Sequence, residues 1–272
     1  MGRLVIEAGK TERHYWADIW KYRELFFFLS WRDILVRYKQ TVIGVLWAVL
    51  RPTLTTVVFV FVFKRLAKMP SEGVPYPVMV LAAMLHWQFF ASALTEAGNS
   101  LIVNSNMISK IYFPRLVIPA SAVIVALVDF LITLVILAVM MAFYQILPTW
   151  RLLAIIPLTG IAFLAAFGAG LWLAALNVEY RDFRYVIPFI VQFGFFVSPV
   201  GYSSSVVPAK WRMLYSLNPM AGIIDGFRWS VTGLASFFYW PGFVVSLALV
   251  FLIAAGGVWY FRKMERGFAD VI

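Results

Sequence analysis

The sequence lacks cysteine and has only two histidines, His14 and His86. The absence of cysteine excludes disulfides, cysteine-ligated metals and thiol catalysis on this chain. Protein zinc sites are built mainly from cysteine and histidine, with Asp or Glu as further ligands, and the 13 acidic residues form no cluster in the sequence. No serine has histidine and aspartate partners near it in sequence, so nothing favours a catalytic triad. We therefore expect no catalytic residue, metal or cofactor on this chain.

A complete nucleotide-binding motif is also missing. Gly9-Lys10-Thr11 matches the end of a phosphate-binding loop. The full motif needs another glycine five residues before Gly9, and that position is Leu4. We interpret the match as chance. If ATP powers this protein, a separate chain must bind it.

Charged residues are scarce and apolar residues abundant. Charged residues are 13% of the 272 residues, whereas they are about 25% of an average soluble domain. Hydrophobic residues are 62%, whereas they are about 45–50% of such a domain. A spanning helix needs about 20 mostly apolar residues. Six segments fit or approach that length: 42–63, 74–94, 116–143, 152–176, 185–200 and 242–261. We predict an all-α integral membrane protein, with residues 1–272 forming one transmembrane domain.

The net charge of +10 is explained by the preference of lysine and arginine for cytoplasmic loops. If the N-terminus lies inside, fifteen of the 23 basic residues fall on cytoplasmic segments and seven on outer ones. This bias predicts that both termini are cytoplasmic, together with the loops 104–115 and 177–185.

Residues 14–40, before the first span, carry aromatic residues at helical spacing with basic residues between them. Charges interrupt the segment too often for a span. The pattern is typical of an amphipathic helix lying in the headgroup plane. A helix packed against other protein is the alternative.

Two charged residues fall deep within predicted spans, Arg51 in the first and Asp129 in the third. A charge at this depth is costly and often marks a functional position. Their opposite signs allow an ion pair between the two spans. Lining of a channel is an equal alternative, and Arg51 can also extend toward the cytoplasmic headgroups.

The loop 104–115, NSNMISKIYFPR, has the features of a short helix. Asn104 or Ser105 can cap its first turn, and Pro114 ends it because the residue before proline avoids the helical region. Apolar residues recur at spacings of three and four, which predicts one apolar face. They are Met107, Ile108, Ile111 and Tyr112. A loop whose charges only orient the chain is the alternative.

Five stretches in order resemble the membrane permease of type-2 ABC exporters for lipid-linked polysaccharide, the family of O-antigen (Wzm-type) and teichoic acid export. They are residues 37–52, 104–115, 126–132, 177–192 and 198–233. The resemblance covers nearly the whole chain. His86 before Trp87 departs from it, because proline is expected there in many relatives.

This resemblance implies a homodimer in the cytoplasmic (inner) membrane, working with two copies of a separately encoded ATPase that binds ATP and Mg. It implies an N-terminal amphipathic helix, six spans and a channel between the first and fifth spans. Short outer gate helices are expected within 201–239. The residues assigned to the outer gate are Ser198, Pro199, Asn218 and Pro219.

The resemblance also gives the cytoplasmic loops a role in coupling ATP hydrolysis to movement of the spans. In the first loop we expect ATPase contacts from Asn106, Ile108, Lys110, Ile111, Tyr112, Phe113, Pro114 and Arg115. In the second, Glu179, Arg181 and Asp182 can pair with each other or with the ATPase. Candidates to bind the phosphates of the substrate lipid are Arg32, Arg37 and Lys39, although these charges also serve orientation.

Other functions stay open at this point. An ion-coupled transporter needs several buried carboxylates or a broken helix, and Asp129 alone gives little support. A membrane glycosyltransferase needs an acidic cluster on a loop, and residues 201–239 offer only Asp225. A capsule exporter or an ABC exporter for drugs or small molecules also fits, because no residue specifies sugar.

Overall fold

A computed structural model describes residues 15–39, 42–180 and 182–268, with side chains for all of these except 42–45. These residues are almost entirely helical and contain no β-strand, so the predicted all-α class is confirmed. The α-helices in chain order are α1 (Tyr15–Lys21), α2 (Arg23–Tyr38), α3 (Val42–Phe59), α4 (Tyr76–Val103), α5 (Ser105–Ile108), α6 (Val117–Phe143), α7 (Ile155–Glu179), α8 (Phe183–Val197), α9 (Ala209–Tyr215), α10 (Pro219–Thr232) and α11 (Trp240–Met264).

Five helical segments are long and apolar enough to cross a membrane. They are Leu46–Leu66, Tyr76–Val103, Val117–Phe143, Trp150–Glu179 and Trp240–Gly267. The helix α8 is also apolar but has only 15 residues, fewer than the roughly 20 that a full crossing needs. The membrane class is confirmed, whereas the six crossings and the orientation stay predictions.

Several helices extend beyond their predicted ends. The second span was expected to end at Leu94, but α4 continues to Val103. Its last turns are polar and find partners within the protein. The Nδ2 of Asn99 donates to the carbonyl oxygen of Thr95 at 2.9 Å, and the Nδ2 of Asn177 donates to the carbonyl oxygen of Gly98 at 3.0 Å. Hydrogen-bonded polar groups can be buried at little cost.

The helix α4 forms the centre of the bundle. Its side chains are buried along most of its length, and it packs mainly against α6 and α7. A glycine permits close approach to α7, because a Cβ at Gly170 would lie 2.7 Å from the Cβ of Ala97. Such small residues are typical of interfaces between membrane helices.

Two apolar helices receive little cover from the rest of the chain. In the most apolar 18-residue stretch of the first span, which includes most of α3, only 11% is buried, compared with 72% in the corresponding stretch of α4. In α8 only Ile187 is buried. Large side chains along α8 are exposed: Tyr185, Phe189, Phe193 and Phe196. Both helices lie against α4, so one side of the bundle is left open.

The predicted single N-terminal helix 14–40 is divided at Tyr22 into α1 and α2. Its first and last residues, 14 and 40, lie outside the described part of the chain. Leu29 is buried and α2 packs along α6. Exposed aromatic residues remain on the other side: Trp16, Trp20, Phe27, Phe28 and Trp31. This exposed face agrees with a helix at the membrane surface.

The connections gather at two opposite ends of the bundle. Contacts join the loop 104–115, the α7–α8 connection and the last turn of α11 at what we call the basic end. Contacts join the segment 67–75, residues 198–218 and the start of α11 at what we call the gate end.

Candidate functional site

A groove of about 700 Å³ lies between α3 and α8, with α4 as its floor. We call it the main groove. Aromatic residues in its lining include Trp47, Trp87, Phe195 and Phe196. Uncharged polar residues include Thr55, Gln88, Ser92, Thr95 and Gln192. Arg51 lines the groove, as do Arg37, Glu96 and Asp129. The lining therefore offers hydrogen-bonding groups and flat apolar surfaces in the same space.

Three charged side chains of the main groove form one cluster that holds α2. The Nη2 of Arg37 lies 2.6 Å from Oδ2 of Asp129 on α6, and its Nη1 lies 3.5 Å from Oε1 of Glu96 on α4. The hydroxyl of Tyr38 donates to Oδ1 of Asp129. Burial, and then the hydrogen bond to Asp129, raise the pKa of Tyr38 above its ordinary value. The hydroxyl therefore stays a donor at physiological pH.

The ion pair between Arg51 and Asp129, one of the alternatives that the sequence left open, does not form, because Asp129 pairs with Arg37. Because α2 packs along α6, Arg37 reaches Asp129 first. The Arg51 side chain is exposed to the main groove and forms no ion pair with any residue that the structure describes. Its position agrees with the other alternative from the sequence, the lining of a channel.

The structure also distinguishes among the predicted lipid-phosphate residues. The Nε of Arg32 donates to Asp33 Oδ1 at 2.8 Å, and its Nη2 donates to Asn104 Oδ1 at 3.1 Å. Arg37 is held by the cluster just described. Lys39 is exposed at the end of α2. Two of the three candidates are thus already engaged within the chain.

The loop 104–115 contains a shorter helix than the sequence predicts. Only Ser105–Ile108 form a helical turn, α5, without a side-chain cap. The Asn104 side chain is used elsewhere, because its Nδ2 donates to the Ser100 carbonyl oxygen at 2.9 Å and its Oδ1 accepts from Arg32. The prediction of a capped helix reaching Pro114 is therefore wrong.

The predicted apolar face of this loop is divided between the inside and the outside of the chain. Ile108 and Phe113 are 5% and 4% exposed, whereas Ile111 and Tyr112 are 58% and 54% exposed. The first two belong to a small buried apolar cluster that includes Leu29. Ile108 of the predicted apolar face and the adjacent Phe113 were both expected to contact the ATPase, and their burial within the chain contradicts this. For Ile111 and Tyr112 the contact stays a prediction.

The other predicted contact residues of the loop have different environments. Asn106 and Lys110 are exposed next to the exposed pair, Pro114 is buried, and Arg115 is half-buried. In the second loop, Glu179 and Asp182 are exposed. Glu179 accepts a hydrogen bond from the Tyr260 hydroxyl at 3.4 Å. Arg181 lies outside the described residues.

Sequence reasoning missed Glu265, which connects three segments at the basic end. Its Oε1 accepts from the backbone N–H of Arg115 at 2.7 Å, and its Oε2 accepts from the Tyr15 hydroxyl at 2.8 Å. A guanidinium N–H of Arg115 donates to the Glu265 carbonyl oxygen. Glu265 thereby joins the loop 104–115 to α1 and to the end of α11. No local pattern signals contacts across such sequence distances.

At the gate end the structure brings the four predicted gate residues together. The Nδ2 of Asn218 donates to Ser198 Oγ at 2.8 Å. The Oδ1 of Asn218 accepts from the backbone N–H of Met220 at 3.0 Å and caps α10, whose first residue is Pro219. Pro199 is buried beside Ser198. An asparagine cap followed by proline is a favourable start for a helix.

The sequence analysis also missed the role of Arg228 in α10. The side chain is fully buried. It donates to the carbonyl oxygens of Met79, Tyr202 and Val200 at 3.2, 2.9 and 3.0 Å, and lies 3.7 Å from Asp225 Oδ1. These acceptors offset the high cost of burying a charge. The Asp-x-x-Arg spacing on one helix was the available signal.

Glu72, in the connection before α4, binds residues 203–205 of the gate end through hydrogen bonds. It accepts hydrogen bonds from the hydroxyls of Ser203, at 2.8 Å, and Ser205. Burial acts to raise its pKa, but the hydrogen bonds, foremost that from Ser205, hold the pKa below its ordinary value. Glu72 is therefore ionised at neutral pH and keeps both serines as donors.

Comparison with known proteins places this architecture in a family. A model of the ABC-2 type transporter family matches residues 24–232. The O-antigen export system permease protein RfbA of Klebsiella pneumoniae is 28% identical over 248 residues, covering 89% of this chain and 92% of that protein. RfbA of Myxococcus xanthus is 27% identical over 216 residues, covering 78% and 81%. The polysialic acid transport protein KpsM of Escherichia coli is 23% identical over 208 residues, covering 71% and 76%.

The family match includes α2, the main groove, the loop 104–115 and the capped helix α10. It extends over well more than half of the chain. It agrees with the apolar helices of an integral membrane protein. The chain belongs to the ABC-2 type transporter family.

Proposed function

We propose that this chain is the channel-forming membrane subunit of an ATP-driven exporter, which moves lipid-linked, O-antigen-like polysaccharide across the cytoplasmic (inner) membrane. The main groove carries this proposal. It lies between the two apolar helices with the least cover, α3 and α8. The relatives named as O-antigen permeases support the choice of cargo.

The lining of the main groove suits a sugar polymer. Hydroxyl groups of sugars can bond to Gln88, Gln192 and Thr55, because amides and hydroxyls both donate and accept. The C–H faces of sugar rings can pack on the rings of Trp87 and Phe195, which also line the groove. Many weak contacts of this kind let a polymer slide.

A second copy of the chain would close the main groove into a channel. In one copy the exposed apolar side chains of α3 and α8 leave the groove open at the side. A polar polymer needs a path screened from lipid. Closed two-fold symmetry is the commonest arrangement of soluble homo-oligomers, and a two-fold axis beside α3 and α8 would join two grooves. We therefore propose a homodimer.

A separately encoded ATPase, in two copies, would supply the energy. The sequence has no complete nucleotide-binding motif. At the basic end, Lys110, Ile111 and Tyr112 are exposed next to one another. Ile111 and Tyr112 form a small apolar surface suited to a pocket on the ATPase. Orientation with the basic end in the cytoplasm follows from the positive-inside bias.

A capsule polysaccharide exporter is the second candidate. The similarity to the polysialic acid transport protein of Escherichia coli favours it. Both candidates share the main groove as the path, and they differ in the glycan and in where the product is displayed.

Complementation tests the proposed path. A host lacking this gene would receive the wild-type chain or the Gln192→Trp variant, which fills the main groove from α8. We expect surface polysaccharide to be restored by the wild-type chain only, with lipid-linked glycan accumulating inside cells that carry the variant.

Leu252→Trp is the matched control, because Leu252 is 68% exposed on α11, away from the main groove. We expect this variant to restore export. If Gln192→Trp is expressed at the wild-type level and exports normally, the polysaccharide does not pass through the main groove. Failure of the wild-type chain together with the cognate ATPase to restore any surface glycan would overturn the proposed cargo.

A further inference from the structure

A second groove, of about 1060 Å³, lies at the basic end. We call it the basal groove. Its walls come from α1, from residues 112–115 and from the last turns of α11. It shares no lining residue with the main groove. The basal groove is therefore separate from the proposed polysaccharide path.

The basal groove carries two cations that form no ion pair with the part of the chain that the structure describes. They are Arg262 and Lys263, and both lie against aromatic rings. The Cζ of Arg262 is 4.4 Å from the Tyr15 ring centroid, and the Nζ of Lys263 is 5.5 Å from that of Trp259. Arg262 and Lys263 therefore give this part of the groove positive charge.

Two carboxylates line the basal groove, and one of them, Glu265, already accepts hydrogen bonds within the chain. Both side-chain oxygens of Glu265 accept hydrogen bonds, one from the Tyr15 hydroxyl and one from the backbone N–H of Arg115. The second carboxylate is Asp18 on α1. An anion that enters the groove therefore finds guanidinium and ammonium donors available.

Exposed tryptophans place the basal groove at the level of lipid headgroups. Trp259 on α11 is 63% exposed, and Trp16 and Trp20 on α1 are 59% and 71% exposed. Tryptophan collects at membrane–water interfaces. On α11 the lining also includes Ala255 and Val258. They lie about two turns and one turn before Arg262, on the side of the apolar part of the helix. The groove is thus polar at one end and apolar at the other, like a phospholipid.

We propose that the basal groove binds the headgroup of an anionic membrane phospholipid. Arg262 and Lys263 contact the phosphate through charge-assisted hydrogen bonds, and the first part of the acyl chains lies beside Ala255 and Val258. The bound lipid neutralises the excess positive charge and bridges α1 and α11. This proposal does not depend on the cargo of the exporter.

Native mass spectrometry of the purified full-length chain tests the site, with phosphatidylglycerol and phosphatidylcholine as probes. We expect selective binding of phosphatidylglycerol. The Arg262→Gln/Lys263→Gln variant should bind it roughly thirtyfold more weakly, since each basic residue adds to the attraction of anionic lipid. Lys263→Gln alone should weaken binding about fivefold. This single variant leaves the stacking of Arg262 on Tyr15 intact, so it guards against a folding defect.

Lys64→Gln/Arg65→Gln is the matched control, because it removes an adjacent pair of exposed basic residues at the end of the first span. We expect wild-type binding from it. If both double variants weaken the binding of phosphatidylglycerol equally, the lipid is attracted by the overall charge of the protein, and the proposal of a site in the basal groove is wrong. Equal binding of the two lipids by the wild-type chain would overturn the headgroup assignment. Displacement of phosphatidylglycerol by inorganic phosphate would identify free phosphate as the ligand and also overturn it.

Discussion

The Asn218 side chain connects two segments of the gate end, because its amide donates to the Ser198 hydroxyl at 2.8 Å while its oxygen caps α10. One residue thus holds both the start of α10 and the turn that follows α8. Replacing Asn218 with alanine removes both bonds. We expect a loss of about 1–2 kcal/mol, most of it from the cap, measured as thermal unfolding in detergent.

Ser198→Ala is the matched control for this pair, because it removes the bond to Asn218 and leaves the cap. We expect a smaller loss than for Asn218→Ala. If Ser198→Ala destabilises as much as Asn218→Ala, the cap contributes nothing and the interpretation fails.

Arg228 should be the most sensitive residue of the gate end. Replacing it with methionine leaves the carbonyl oxygens of Met79, Val200 and Tyr202 without this donor, and Asp225 without its cation. We expect a loss of about 3–5 kcal/mol, seen as low yield and an early unfolding transition. Arg212→Met is the comparison, because Arg212 is only half-buried and bonds to two carbonyl oxygens of its own segment. A smaller loss at Arg228 than at Arg212 would contradict this prediction.

The loop 104–115 gives two different predictions for the same type of substitution. Ile108→Asp places an unpaired carboxylate in the buried apolar cluster. It should lower the free energy of unfolding by several kcal/mol, even if the new aspartate becomes protonated and neutral. Ile111→Asp changes an exposed residue and should alter stability by about 0.5 kcal/mol or less, while abolishing capture of the ATPase. Thermal unfolding and pull-down measure the two effects.

Asn106→Asp introduces the same charge at an exposed position of α5 and serves as the control for Ile111→Asp. We expect it to retain most ATPase capture. Normal capture by Ile111→Asp would place the ATPase contact elsewhere.

Glu265 should hold the basic end together. In Glu265→Gln, one of the two acceptor oxygens becomes an amide NH2 and the negative charge is lost, so the charge-assisted hydrogen bonds from Tyr15 and from the Arg115 backbone are weakened or broken. We expect faster amide hydrogen exchange in α1 and in residues 112–118, with no change at the gate end. Glu179→Gln is the control, because Glu179 is exposed and its hydrogen bond from Tyr260 is long, 3.4 Å. If amide hydrogen exchange is equal in the wild-type chain and in Glu265→Gln, Glu265 does not stabilise the basic end.

The absence of cysteine permits a direct test of the dimer. A single cysteine at Phe193, which is 59% exposed on α8, should give cross-linked dimers with a short thiol cross-linker in membranes. Leu252→Cys on α11 should stay monomeric on gels, because that face would contact lipid. The reverse result would place the two-fold axis at α11.

The sequence predicted the helical class and the positions of the apolar segments, because hydropathy over about 20 residues depends little on tertiary contacts. The assignment of Ser198, Pro199, Asn218 and Pro219 to an outer gate came from the family resemblance and stays a prediction. The structure adds that Asn218 and Ser198 are hydrogen-bonded.

The errors share a physical origin in contacts between distant segments. Pairing of Asp129 with Arg51 was one of the alternatives because both lie within spans, but α2 packs on α6 and supplies Arg37. Asn104 was one of two candidate caps, but Arg32 and the last turn of α4 use its side chain. In each case a closer partner came from a segment whose position the sequence did not specify.

The length and burial of α4 have a mechanical consequence. It has 28 residues, so it extends roughly 42 Å, which exceeds the hydrocarbon core of about 30 Å. At one end it leads directly into α5, and near the other the Met79 carbonyl oxygen accepts from Arg228. We therefore expect a movement of α5 to be transmitted along α4 to α10, because no loop longer than Asn104 separates α5 from α4.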